Sequence, residues 1–461
     1  MMKRTVKQIA NMIKIENDIT EFQDNVISGA CIDTRVIQEG NLYVPLKGRF
    51  VDGHQYVEAA INSGAGASLW QKDVPNPPHG LPIIIVEDVL TALQELARAY
   101  LQELNIKVVG VTGSNGKTTT KDMVASVLSQ KYKVQKTIGN YNGRQGLPLT
   151  VLSLKEDTEV AVLEMGMSAR GEIEFLTRLA RPNVAIITNI GEAHLQDLGS
   201  REAIADAKME IVKGLSRDGL FIYLGDEPLL RERAQAISDV RIQTFGKKQE
   251  NDIYPITINQ DENGSAYSVN MEPDSQLYIP VLGEYNVLNS LAAILAGREL
   301  GLSMEEIKNG LSSVKLTAMR MEVLDGLNGI KIINDAYNAS PTSTKAALNL
   351  VMDLDKSREK IVVLGDMLEL GEAEKDFHRE IGRFLQPSKI KYVFTYGELG
   401  YYIAEEAKKQ FGADRVFNFV NKQELIQSII SHIQGNELVL IKGSRGMELE
   451  EVATSLVENK E

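Results

Sequence analysis

The apolar residues of this chain fall into short β-branched runs separated by amphipathic stretches, and the alternation starts afresh twice. Residues 1–104 open with a polar, helix-like segment, pass short apolar runs at 41–45, 67–70 and 81–86, and end in VLTALQELARAYLQEL, whose apolar positions recur at three and four and predict a helix. From about 106 to 316 the runs at 107–112, 160–164, 184–188 and 220–223 lack polar interruption. That pattern fits strands buried on both faces, and their alternation with helices predicts a doubly wound parallel sheet. Around 253–280 apolar and polar residues alternate, predicting an antiparallel flap, and the Ala- and Leu-rich NVLNSLAAILAGREL predicts a long helix after it. A last series at 331–334, 361–364, 392–395, 416–419 and 438–441 predicts a second, smaller sheet without a GxGxxG turn after its first strand, so NAD is not expected.

The expected fold class is therefore α/β in three domains. Residues 1–104 form an N-terminal α/β substrate domain, 105–317 a central P-loop-type doubly wound parallel sheet, and 318–461 a C-terminal Rossmann-like α/β domain, with a hinge at 316–321. The length agrees, because 461 residues exceed what one core can organise.

The chain is organised around VVGVTGSNGKTTT at 108–120, where an apolar strand stops at a glycine turn and a helical pattern follows Lys117. A strand-to-helix turn aims backbone N–H groups and the positive end of a helix at one point, which suits a phosphate chain. Gly113 and Gly116 let the backbone approach the anion, Lys117 can reach the outer phosphates, and the Thr118 hydroxyl can ligate Mg²⁺. The usual P-loop pattern asks for glycine at position 111, where this chain has valine; the match is the shorter GxxGKTT.

Charge and cysteine content narrow the partners. The formal net charge of -13 argues against nucleic acid or a membrane surface, so a polyanionic substrate must be held by a local cluster of cations. The single cysteine, Cys31, excludes an intramolecular disulfide framework, and no uncharged apolar run has membrane-spanning length, so a soluble cytoplasmic protein is expected.

Other residues fall at strand ends. Glu164 closes an apolar strand and can serve as a second metal ligand beside Thr118, or as a helix cap. His194 lies in the loop TNIGEAHLQDLGS, and Lys208 sits in the helix IADAKMEIV, where spacing alone reads it as a solvated charge. Asp335 and Asp366 end strands of the last domain and face the alternatives of substrate contact or helix capping. Lys442 and Arg445 in LVLIKGSRG form a cationic pair fit for a carboxylate or phosphate, and Arg320 stands at the hinge. Asp33, Thr34, Arg35, Lys47 and the DGH at 52–54 concentrate polar groups in loops of the first domain.

TGSNGKTTT, the strand into Glu164, TNIGEAHL with AKMEI, GEYNVLNSLAA, AMRMEV, NDAYNASP, LGDMLELG and KGSRG, in that order over the whole chain, resemble the Mur ligases, ATP-dependent amide-forming enzymes of peptidoglycan precursor synthesis. Within that family DAYNASP and GDMLELG are similar to the member that adds D-alanyl-D-alanine to UDP-N-acetylmuramoyl-tripeptide, while the DNPR-like motif of the member that adds the third amino acid is absent.

The resemblance implies that Gly113, Ser114, Asn115, Gly116, Lys117, Thr118, Thr119, Asn289, Arg320, Asp335 and Asn338 serve ATP. It implies two Mg²⁺ ions held by Thr118, Glu164, His194 and a carbamylated Lys208, with Lys117, Lys208 and His194 catalytic. Substrate contacts fall to Asp33, Thr34, Arg35, Lys47, Asn140, Asn142, Asp366, Lys442 and Arg445, and the partners are the two small molecules alone, with a monomeric enzyme. Gly143 and Tyr285 depart from the family pattern, at positions that usually hold Asn and often His. Two other readings compete: a folylpolyglutamate synthase-like amide ligase, against which the first domain speaks, and a nucleotide-gated binding protein that joins nothing.

Overall fold

The structure is a computed structural model that describes residues 1–457 apart from Arg49, Glu262 and Lys356. The first hundred residues form a four-stranded parallel sheet in the order Ala30–Cys31, Leu42–Tyr43, Ala67–Gln71, Ile83–Val86, beside an antiparallel pair of Lys3–Thr5 with Val26–Ser28. The predicted helix runs from Val89 to Leu104. Asp88 starts it by accepting the Thr91 N–H at 2.7 Å, and Asn105 stops it in the left-handed conformation at φ 47°. Its buried stripe of Leu93, Leu96, Ala97 and Tyr100 joins one continuous apolar cluster running from Met2 to Ala234. The N-terminal unit therefore shares its core with one face of the central sheet.

The central sheet has six parallel strands in the order Arg241–Phe245, Leu220–Leu224, Val184–Ile187, Lys107–Thr112, Val160–Glu164, Val134–Lys136. The chain leaves Lys107–Thr112 toward one edge and later crosses to the other. A crevice consequently opens at the carboxyl end of that strand, where ligands of such sheets bind. Helices Lys117–Leu128 and Glu284–Glu299 cover the second face with a separate apolar cluster. The flap is antiparallel, as its alternation predicts: Pro255–Gln260, Ser265–Val269 and Glu272–Ile279, fastened to the long helix by Tyr267 Oη and Ser290 Oγ at 2.5 Å.

The C-terminal sheet is ordered Glu322–Asp325, Lys331–Asp335, Glu437–Lys442, Glu359–Gly365, Tyr392–Tyr396, Val416–Phe419, with the first strand antiparallel and the rest parallel. The strands absent from the pattern reading are edge strands such as VQK, RIQTF and EVLD. An edge strand is covered less and tolerates polar residues, which erases the apolar run. No helix among the described residues is long and apolar enough to cross a membrane.

Candidate active site

The loop after Thr112 is held from below by the next strand's end. Ser114 N–H donates to the Asn189 carbonyl at 3.0 Å, Asn115 N–H to Asn189 Oδ1 at 2.8 Å, and Thr188 Oγ1 to the Asn115 carbonyl at 2.5 Å. Close packing makes glycine obligatory at two positions. Gly113 has φ 146°, and a Cβ there would lie 1.9 Å from Thr188 Oγ1; Gly116 has φ 80°, and its Cβ would lie 2.8 Å from Asn289 Oδ1. Gly113→Ala should therefore weaken ATP binding by at least tenfold while leaving the two apolar cores untouched, because the loop must move to admit the methyl group. Titration calorimetry with ATP, beside a melting curve, checks this; wild-type affinity would refute it.

Helix Lys117–Leu128 starts at Gly116 with no side-chain cap, so its first-turn N–H groups remain available to an anion. Lys117 folds back, Nζ donating to the Gly113 carbonyl at 2.7 Å. Burial pulls its pKa down, the Glu164 carboxylate opposes the shift, and the Arg320 guanidinium adds to it. Among the described residues two buried donors at this loop have no partner, Asn115 Nδ2 and Arg320 Nε. Unspent buried donors are costly, and a phosphate chain would satisfy both.

Arg320 reaches in from the hinge. Its guanidinium stacks 3.9 Å from the centroid of the Tyr337 ring and donates to Thr118 Oγ1 at 3.1 Å. Thr118 Oγ1 in turn donates to Glu164 Oε2 at 3.0 Å, and Asn142 Nδ2 donates to Glu164 Oε1 at 2.8 Å. Glu164 thus faces the hydroxyl it was expected to meet, and it does not cap a helix. A hydroxyl and a carboxylate oxygen at one point beside a phosphate loop form a hard-donor set that suits Mg²⁺.

Glu164 and His194 line one cavity. His194, at φ 65°, turns Nδ1 to within 3.1 Å of Glu369 Oε2 in the C-terminal domain, and among the described residues no group of three His, Cys, Asp or Glu side chains could hold a metal. The ring holds the Glu369 carboxyl below its ordinary pKa. Lys208 is 1% exposed, so the spacing-based reading as a solvated charge is wrong: the helix Arg201–Met209 turns this residue inward. No hydrogen bond or ion pair holds its ammonium among the described residues. Burial first, then the Lys117 charge, push its pKa well below the ordinary lysine value.

A cavity of about 450 Å³ joins the loop, Glu164, His194, Asn289 and Arg320 to Asp335, Asn338 and Lys442 of the C-terminal domain. That domain rests on the loop: Ser340 Oγ donates to Asn115 Oδ1 at 3.3 Å, Thr342 Oγ1 to Glu192 Oε2 at 2.8 Å, and Gln196 N–H to the Glu369 carbonyl at 3.2 Å. Asp335 is no helix cap, since Ser340 caps the following helix; it accepts from Met321 N–H at 3.2 Å and from Lys442 Nζ at 2.5 Å.

Lys442 and Arg445 do not form the expected cationic pair. Lys442 is spent on Asp335 and on the Asn338 carbonyl at 2.9 Å, and Arg445 is spent on Glu450. Asp366 is 7% exposed and is not the N-cap of the helix that follows it; it accepts the Gly400 N–H at 2.7 Å at the start of a helix from another part of the chain, burial raises its pKa, and it does not line the cavity.

The first-domain residues stand apart from the cavity. Asp33 caps its own short turn and pairs with Arg35 at 2.6 Å, which draws its pKa down to about 2; Thr34 begins that turn. Lys47 is exposed, 4.0 Å from Asp52, and His54 is a buried structural residue between Asp52 and the Gln71 N–H. Asn140 is exposed, whereas Asn142 lines the cavity. Asn189, Glu369, Lys121 and Asp122 escaped the sequence reading. Only Asn189, at a strand's carboxyl end, carried a positional signal; the others acquire partners through packing.

Family models describe residues 26–101 as "Mur ligase family, catalytic domain", 111–297 as "Mur ligase middle domain" and 319–445 as "Mur ligase, glutamate ligase domain". The UDP-N-acetylmuramoyl-tripeptide--D-alanyl-D-alanine ligase of Bacillus subtilis (strain 168) is 51% identical over 459 residues, covering 100% of this chain and 99% of its own. The crystal structure of MurF from Acinetobacter baumannii superposes with a TM-score of 0.88 at 28% identity over 99% of both chains. That of MurF ligase from Thermotoga maritima in complex with ADP does so at 0.81 and 29%, covering 93% of this chain and 97% of that one. With half of all residues shared across the full length of both sequences, the chain belongs to the Mur ligase family.

Proposed function

We propose that this chain joins D-alanyl-D-alanine to UDP-N-acetylmuramoyl-tripeptide at the expense of ATP, giving the UDP-linked pentapeptide, ADP and phosphate. The observation that carries the reading is the full-length identity to a ligase of that name, on a cleft whose unspent donors suit a nucleotide. In the first step the tripeptide carboxylate attacks the γ-phosphorus of ATP and ADP leaves. In the second the amine of D-alanyl-D-alanine attacks the acyl phosphate, loses a proton, and expels phosphate as the amide forms.

Two anions must meet in the first step. Lys117, released from its own loop carbonyl, and Arg320 supply positive charge at the phosphates, while Asn115 and the free N–H groups of the helix start hold them in line. Thr118 and Glu164 would hold a Mg²⁺ ion, which when bound offsets phosphate charge. Lys208 is the residue we assign to carbamylation: its amine adds CO₂ and releases a proton. The change converts a buried amine, whose charged form has no counter-ion among the described residues, into an anion, and with His194 it would serve a second ion.

Residues 318–461 close over the nucleotide through Ser340 and Thr342 and keep water from the acyl phosphate. Residues 105–317 hold ATP. Residues 1–104 hold the uridine diphosphate through the loops at 33–35 and 47–54, with Asn140 and Asn142 nearer the muramoyl group. The enzyme acts as a cytoplasmic monomer. Phosphate release with the tripeptide precursor, D-alanyl-D-alanine, ATP and Mg²⁺ tests the activity, with mass spectrometry of the product. ADP without a new amide would favour the nucleotide-gated binding protein, and background rates from folded protein would reject the ligase.

A further inference from the structure

The helix that begins at Lys117 carries a buried charge network one turn beyond the phosphate loop. Asp122, 1% exposed, accepts from Lys136 Nζ through Oδ1 at 2.6 Å, and Lys121 Nζ lies 3.7 Å from the same oxygen and 3.7 Å from Glu164 Oε2. Its second oxygen is spent on the inter-domain linker. Thr317 N–H and Thr317 Oγ1 both donate to Asp122 Oδ2, each at 2.8 Å.

Three residues further on, the linker makes an unusual kink. Met319 at φ 62° and Met321 at φ 52° both lie in the left-handed region, on either side of Arg320. Residues with side chains enter that region at a cost in free energy that the surroundings must offset. The C-terminal domain supplies part of the hold, since Met319 N–H donates to Glu322 Oε2 at 3.0 Å and Met321 N–H to Asp335 Oδ1 at 3.2 Å. On the central-domain side the linker is held by the Asp122–Thr317 clasp and by the contact of Arg320 with Thr118.

We propose that Asp122 is a positioning residue for the ligase reaction: by clasping Thr317 it fixes the linker so that Arg320 reaches Thr118 on the phosphate loop. This rests on the reading of Arg320 as an ATP contact. The phosphate loop and the linker then move as one piece, because Thr118 and Asp122 lie on one helix, four residues apart, and grip the linker at Arg320 and Thr317 respectively. The network suits the task. One carboxylate oxygen accepts both the Thr317 hydroxyl and its N–H while the other is held by Lys136, so the clasp is anchored on both sides.

A double-mutant cycle between Thr317→Val and Arg320→Ala tests the proposal, read as KM for ATP with melting temperature followed in parallel. Thr317→Val removes the hydroxyl donor and keeps the volume, avoiding the unpaired Lys136 that Asp122→Ala would leave. The single variant should raise KM for ATP roughly tenfold, Thr317→Ser should restore it, and in the Arg320→Ala background Thr317→Val should add nothing. Additive effects, or a wild-type KM in Thr317→Val, would overturn the positioning role while leaving Arg320 as an ATP contact. An Arg320→Ala enzyme with normal KM would overturn both, and so identify the failure as that of the ATP contact itself.

Discussion

Lys117→Ala should lose ligation by on the order of a thousandfold or more while folding as the wild type does. The two halves of this expectation have different causes. In the structure the ammonium is spent on loop carbonyls, at 2.7 Å from Gly113 and 3.4 Å from Ser114, and burial already works against its charge. Removing it costs the loop about 1 kcal/mol of net hydrogen bonding and relieves a desolvation penalty of similar size, so stability changes little. At the transition state nothing replaces it. Arg320, stacked on Tyr337 and bonded to Thr118, and the backbone N–H groups still supply positive potential, but neither is the flexible point charge that Lys117 delivers. The measurement is kcat for phosphate release beside circular dichroism and a melting curve. A variant within tenfold of wild type would remove Lys117 from the chemistry, and one that fails to fold would reassign it to structure.

Lys208→Ala should be equally inactive, and unlike Lys117→Ala it should be partly restored by a short carboxylic acid such as formate or acetate. A buried ammonium without a counter-ion is among the costliest groups a protein can hold, and a carbamate at the same place is an anion beside Lys117. Truncation leaves a cavity lined for an anion, which a small carboxylate can enter. The Ala variant should also be no less stable than wild type in CO₂-free buffer, since the group removed is an uncompensated amine. Full activity of the unrescued variant, or inactivity that no carboxylate relieves together with an unmodified mass for residue 208, would overturn the carbamylation.

Much of the fold was legible along the chain wherever one physical requirement dominated. Strands buried on both faces must be apolar throughout, so 107–112 and 160–164 coincide with the observed strands residue for residue. The helix at 89–104 does so too, because Asp88 and Asn105 mark its ends with local chemistry. The phosphate loop was equally plain, since a strand, two glycines and GKTT act within a single turn. The reading failed where neighbours distant in sequence decide. VQK and RIQTF are strands only because a sheet edge accepts polar residues, and Lys208 is buried because its helix packs among neighbouring helices.

The loop, its glycines, the alternating strands and the ordered motifs were thus determined by sequence alone, through backbone geometry and hydrophobic period, which are local properties. Tertiary structure decided which charges are spent and which are free. Lys442 looked like an anion ligand, yet Asp335 lies at 2.5 Å from it; Asp366 accepts from Gly400, and His194 turns to Glu369. Each outcome depends on a partner contributed by another strand or domain, and electrostatic interaction falls off with distance in space without regard to distance along the chain.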